Sequence, residues 1–169
     1  MAVIEGMDRL LANLQRLQSQ LPQELAQAVH AVMEPVFQAS QEQVPVGHTT
    51  EAAGSLPSGA VRTSGKHPPA EVSGNVITDT ISYGGAQTQT RDGYDLAVLL
   101  HEGTRPHIIP GNPWLYFEDS QGQLIRVHEV HHPGTTGRKY LEQPVMEAQA
   151  GMETELGTHT EQVIQNLVQ

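Results

Sequence analysis

The sequence predicts an α+β domain. Three observations carry this: a long apolar stripe at helical spacing near the start, short β-branched and aromatic runs in the middle, and a second helical stripe at the end. The expected order is N-terminal helices, a long loop, a small antiparallel sheet with a β-hairpin, and a C-terminal helix packed on that sheet. A single domain over residues 1–169 is expected, with a helical arm at 1–43, a loop at 44–74, a sheet region at 75–140 and a helix at 141–169.

At the start, Val3, Met7, Leu10, Leu14, Leu17 and Leu21 alternate steps of four and three, which puts all six on one face of a helix. Pro22 interrupts the run. Because proline suits a first helical turn, a second helix is expected from Gln23, carrying Leu25, Val29, Val32 and Val36, with Met33 and Phe37 widening the stripe. Pro35 removes a hydrogen bond and should kink it. From Val44 to Gly74 periodicity gives way to Gly, Pro, Ser, Thr and Ala, so a long loop is expected there.

Val76–Tyr83 is β-branched, with Ile77, Ile81 and Tyr83 on one alternating face, and Gly84-Gly85 closes a predicted strand. Tyr94–Leu100 is too short to separate a buried strand from a helical turn by period. Trp114–Phe117 and Leu124–Val130 flank a polar, glycine-containing tip at 118–123 and read as a hairpin. His131–Gly137 is turn-rich. Pro144 then opens a helix bearing Val145, Ala148, Met152, Leu156, Val163 and Leu167, weakened at Gly151 and Gly157.

Composition removes several functions. The chain has no cysteine, which excludes disulfides, thiolate nucleophiles and Cys-ligated metals. With 9 Lys and Arg against 19 Asp and Glu, and a net charge of −10, it lacks the basic surface that tight nucleic-acid binding requires. The first residues lack a signal-peptide layout and no run is apolar enough for a membrane span, so a soluble protein is expected. Only 37% of residues are hydrophobic and 4% aromatic, a thin supply for one core that points to completion by neighbouring copies.

Two histidine groups test for chemistry. His128-Glu129-Val130-His131-His132 matches the H-E-x-x-H pattern, which works on a helix, where two histidines meet one zinc. Here the segment follows Leu124–Val127, which reads as a strand, and runs into Pro133-Gly134; on a strand, His128 and His132 would lie roughly 13 Å apart. His101, Glu102 and His107, with Arg105 between, lack a nucleophile that would complete a catalytic set. No phosphate-binding glycine loop follows a strand. The expectation is therefore no enzyme, no cofactor and no metal site. The rival is a metallohydrolase using His128, Glu129, His131 and His132.

One stretch carries a resemblance. Tyr94-Asp95-Leu96-Ala97-Val98-Leu99-Leu100-His101-Glu102-Gly103-Thr104-Arg105-Pro106-His107 is followed by Trp114-Leu115-Tyr116-Phe117, then Val130-His131-His132-Pro133-Gly134-Thr135, then Tyr140-Leu141. This order resembles the tail-component family of tailed bacteriophages, the neck, tail-completion or head–tail joining proteins. The match spans the central and C-terminal half. The chain departs from the family between the helices and the first strand, where a longer stretch with Gly54-Ser55-Leu56 and Val61-Arg62 stands, and it has Tyr140 where phenylalanine is common.

The resemblance implies a virion structural protein, assembled in the bacterial host cytoplasm. It would form a hexameric ring between a connector or head-closure ring and the tail terminator or tail tube, with DNA only passing through an acidic lumen. A tail terminator, minor tail subunit or assembly chaperone is the structural alternative. Glu102, Gly103, Thr104, Arg105 and Pro106, then His132, Pro133, Gly134 and Thr135, then Tyr140 and Leu141, are the motif residues, and each has an architectural reading. Gly103 permits a turn that a side chain would obstruct, Glu102 accepts backbone donors there, Pro133-Gly134-Thr135 reverses the chain, and Tyr140-Leu141 anchors the last helix on the sheet. Leu56, Arg62 and Lys66 mark the loop expected to reach a neighbouring subunit.

Overall fold

The computed structural model describes residues 6–47, 56–119 and 121–168. It is a mixed helix and sheet structure, as the sequence predicts, with a long N-terminal helix, small antiparallel sheets and a C-terminal helix. Val3, Gly54, Ser55 and part of the hairpin tip, named above, fall outside the described residues.

Helix α1 runs unbroken over Met7–Gln43 with Pro22 and Pro35 inside it. The expected break at Pro22 does not occur. A proline within a helix costs about 3 kcal/mol, and this is outweighed where the helix has a long partner to lie against. That partner is α4, Glu142–Val168, antiparallel to α1. The Asn13 amide donates to the Val168 carbonyl at 2.9 Å, so the last turn of α4 meets the first turns of α1. Ala26, Ala28, Val32, Val36 and Leu167 are buried along this arm, whereas Leu10, Leu11 and Leu14 near its tip stay more than half exposed. The C-terminal helix thus lies along α1 and not on the sheet, where the sequence predicts it; Pro144, in its first turn, is buried there.

The predicted 44–74 loop carries more structure than expected: a one-turn helix α2, Ala60–Thr63, and strand β1, Glu71–Ser73, which pairs antiparallel with β2, Val76–Thr78. Lys66 and Ser82 form an isolated antiparallel bridge through bonds of 2.8 and 2.9 Å. The predicted strand at Val76–Tyr83 therefore survives as β2 plus this bridge. A 3-10 turn at Ala86–Thr88 leads to α3, Leu96–Glu102, so the ambiguous Tyr94–Leu100 run is helical. Asp95 decides that outcome. As N-cap, its Oδ1 accepts from the Ala97 N–H at 2.9 Å and from the Thr88 hydroxyl at 2.7 Å, while Oδ2 accepts from the Gly85 N–H at 3.0 Å.

Two-residue strands β3 (Gly103–Thr104) and β6 (Thr135–Thr136) pair with each other, and between them rises the hairpin of β4 (His107–Glu118) and β5 (Leu124–His132). Its register slips between Pro110 and Leu115, around a cis Asn112–Pro113 bond. The core sits where α1 ends. Val44, Val61, Ala97 and Tyr140 are buried together, flanked by Tyr83, Leu96, Leu100 and Leu141.

Candidate functional site

The motif stretches, some thirty residues apart in sequence, meet in one clasp. Gly103 pairs with Thr136 and Thr104 with Thr135; the Thr135 N–H donates to Thr104 Oγ1 at 3.0 Å, and the two threonine hydroxyls lie 3.1 Å apart. Backbones approach closely here. A Cβ on Gly103 would collide with the Thr135 carbonyl oxygen, and one on Gly134 with the Thr104 carbonyl oxygen. The Gly134 N–H donates to His132 Nδ1 at 3.0 Å, which closes the turn after β5, and His132 stacks near His107 with ring centroids 4.9 Å apart. Arg105 and Pro106 are exposed, and the Arg105 carbonyl sits 2.8 Å from His107 Nδ1.

Glu102 works differently from the expectation. Its carboxylate engages side chains, with Oε2 accepting from Lys139 Nζ at 2.5 Å and Oε1 lying 2.7 Å from His101 Nδ1. Lys139 first and His101 second hold the Glu102 pKa below the usual carboxylate value. The reason is spatial: Lys139, at a positive φ of 51°, enters α4 beside the end of α3. Tyr140 is 1% exposed and is the centre of the core. Its hydroxyl donates to the Ala97 carbonyl at 2.7 Å, and the rings of Tyr83 and His101 meet it edge-on at 5.2 and 5.1 Å. Burial pushes the Tyr140 pKa up to about 12. Tyr140 thus anchors the last helix to α3 and the end of α1, not to a sheet.

The hairpin projects with little covering it. Leu115 pairs with Val127 and Phe117 with Ile125, and the pleat puts these four on one face. On the other face the Arg126 guanidinium lies 3.8 Å over the Trp114 ring, with His128 stacked on the same ring at 3.5 Å. Ile108, Tyr116, Phe117 and Leu124 are exposed. The H-E-x-x-H segment is part of this strand: His128 Nδ1 faces the Pro113 carbonyl at 3.1 Å, Glu129 pairs with His131 in the open at 3.0 Å, and His132 belongs to the clasp. His128 and His132 are not brought together on a helix.

Of the loop residues, Arg62 turns to the end of α1, while Lys66 is exposed and Leu56 half-buried. The Arg62 guanidinium donates to the carbonyls of Val44 at 2.7 Å and Glu42 at 3.3 Å, covering acceptors that the end of α1 leaves open. Lys66 holds the Ser82 bridge through its backbone, and Leu56 lines a surface hollow with Pro45, Val46, Leu96 and Leu100.

A second cluster gathers side chains from three separate segments. On α1, His30 and Glu34 stand one turn apart and face His67 and Asp79. His67 is nearly wholly buried, with its side chain 1% exposed and that of Asp79 3%. The His67 ring bridges two carboxylates, Nδ1 lying 2.8 Å from Glu34 Oε2 and Nε2 3.0 Å from Asp79 Oδ2; the same Oδ2 is 3.3 Å from His30 Nδ1. Burial opposes charge on His67, but the hydrogen bonds and charges of Glu34 and Asp79 prevail and raise its pKa above the ordinary imidazole value. Gln38 first, then His67, lowers that of Glu34. Only the His30-x-x-x-Glu34 spacing was legible beforehand, because His67 arrives from the loop.

Comparison of the chain with protein-family models, curated proteins and solved structures finds no match. Among the described residues no helix is long and apolar enough to cross a membrane.

Proposed function

We propose that this chain is a structural subunit of the neck of a tailed bacteriophage, forming a ring that joins the head connector to the tail. The observation that carries the reading is surface. The chain exposes 12434 Å², against about 8,200 Å² for a compact monomer of 18.4 kDa. The excess, some 4,000 Å², exceeds the roughly 1,200–2,000 Å² that a standard interface buries. Exposed apolar side chains stand on the hairpin, at Ile108, Tyr116, Phe117 and Leu124, and at the arm tip, at Leu10, Leu11 and Leu14.

An isolated two-stranded hairpin is marginal in water, and its edges invite pairing. The occupant that fits is a second copy of this chain, docked on the Leu115, Phe117, Ile125 and Val127 face. A heterologous contact of that kind, repeated around an axis, closes a ring. The ordered motif string that resembles the tail-component family supports the same reading: Gly103 and Thr104 meet Gly134 and Thr135 in the clasp at the hairpin's base, and Tyr140 fills the core. The net charge of −10 suits a lumen past which DNA slides without adhering.

Removing the gene from its phage should leave filled heads and finished tails unjoined. Native mass spectrometry of the purified protein, alone and with the connector, should show a closed ring that Phe117→Asp disperses. Joined, infectious particles without the protein would refute the reading. Overlong or unterminated tails would instead make the chain a tail terminator.

A further inference from the structure

We propose that His30, Glu34 and His67 form a binding site for a divalent transition-metal cation, best suited to zinc, with Asp79 orienting the two imidazoles. The three side chains each place a donor atom within 4.8 Å of the others. Bonds of about 2.0–2.1 Å in a tetrahedral site set neighbouring donors a little over 3 Å apart, so closure needs only side-chain rotation. Two imidazoles and one carboxylate, with no thiolate, form a donor set of the kind zinc accepts.

The arrangement around the donors is what separates a built site from a chance ion pair. The His30 and His67 rings lie side by side with centroids 4.0 Å apart, and both turn one nitrogen to the same oxygen of Asp79. That oxygen is fixed in turn, because Asp79 Oδ1 accepts from the Thr80 N–H at 2.8 Å. Metal-bound histidines commonly donate their second nitrogen to a carboxylate in this way, which sets tautomer and ring orientation. His67 Nδ1 is left facing Glu34, and His30 offers the nitrogen that Asp79 does not engage.

Phe37 packs against the His67 ring at 5.5 Å and closes the inner side. Glu34, with its side chain 46% exposed, and His30, 30% exposed, leave the outer side to solvent, where a water completes the coordination. The ion would tie the middle of α1 to the segment between the Lys66 bridge and the end of β2. That would lock the arm to the body of the subunit. The site does not depend on the neck reading and is tested apart from it.

The full chain, prepared without a polyhistidine tag and stripped by chelator, is titrated with zinc and with cobalt. One ion per chain, a rise in Tm with zinc, and the visible absorption of tetrahedral cobalt are expected. Asp79→Asn should weaken binding about 10–100-fold while leaving the ligands in place. His67→Ala should abolish it. If that variant does not fold, His30→Gln and Glu34→Gln, both partly exposed, must each lose at least tenfold in affinity. Glu129→Ala with His131→Ala, an exposed pair outside the clasp, should leave zinc affinity unchanged. Failure to bind stoichiometrically, binding that survives both His30→Gln and Glu34→Gln, or binding lost only in the Glu129, His131 pair would overturn the assignment.

Discussion

Consider alanine in place of Gly103, the residue at the centre of the clasp. Its backbone sits at φ 81°, ψ −176°, a region that only glycine occupies without strain, and occupying it costs another residue about 1–3 kcal/mol. The added methyl would also strike the Thr135 carbonyl oxygen and lie 2.6 Å from the Gly137 nitrogen and 3.1 Å from the Thr136 carbonyl carbon. All three are backbone atoms, so no rotamer change relieves the clash. The pairing of Gly103 with Thr136 and Thr104 with Thr135 must open, at about 1 kcal/mol for each hydrogen bond lost. Together these amount to about 3–5 kcal/mol, or roughly 6–20 °C in Tm for a chain of this size. Thermal and urea unfolding followed by circular dichroism measures it. Gly151→Ala is the control: it lies within α4 with nothing near its Cβ, and should raise stability by up to about 1 kcal/mol. A Gly103→Ala protein melting within about 2 °C of the parent would refute the close-approach account.

Asp95→Ala removes a helix cap and two further hydrogen bonds to a charged acceptor, and should cost about 2–4 kcal/mol in urea unfolding. Burial raises the Asp95 pKa, but the Gly85 N–H, the Thr88 hydroxyl and the Ala97 N–H outweigh it and leave the value lowered. A lowered folded value stabilises fully above the unfolded pKa, near 4, and is lost as pH falls through the folded one, so the parent should lose stability below about pH 4 along a slope that Asp95→Asn lacks. Tyr140→Phe keeps the ring but gives up the bond to the Ala97 carbonyl; a loss of about 1 kcal/mol is expected, and Tyr140→Ala should cost about 3–5. Arg62→Ala should release the end of α1, read as faster amide exchange at Val44 and Gln43 with the far end of the helix unchanged.

What could be read beforehand was whatever rests on local chemistry. The hairpin followed from Trp114–Phe117 and Leu124–Val130 flanking a polar tip, and the last helix from its spacing after Pro144. Errors came where a distant partner decides. Pro22 reads as a break because propensity knows nothing of α4, which lies along the arm; the 44–74 stretch reads as loop because β1 and the Lys66 bridge are paid for by strands later in the chain. From sequence Glu102 reads as an acceptor of backbone donors, because Lys139, its true partner, is 37 residues on. The metal-type cluster was hidden for the same reason, with two of its residues on α1 and two contributed by separate later segments.

The two faces of the hairpin show where assembly and folding divide. Trp114, Arg126 and His128 satisfy one another: the cation and the imidazole both lie on the indole, so that face is dressed from within the chain. The opposite face finds less support within the chain: Phe117 is exposed and Leu115, Ile125 and Val127 are half-buried, while Tyr116 and Leu124 stand exposed on the Trp114 face. Leu115, Phe117, Ile125 and Val127 form cross-strand pairs with one another, and among the described residues no helix lies across them with more than a passing contact. Such pairs contribute about 0.2–1 kcal/mol each, which does not hold a projecting ribbon rigid by itself. Burying them against a copy of the chain would add about 25 cal/mol for each square ångström removed from water, a gain available only in the assembly. The clasp at the hairpin's base serves the monomer, because it fixes the direction in which the ribbon leaves the core. Substitutions in the clasp should therefore lower the stability of isolated chains, whereas substitutions on the Phe117 face should spare the monomer and act on the ring.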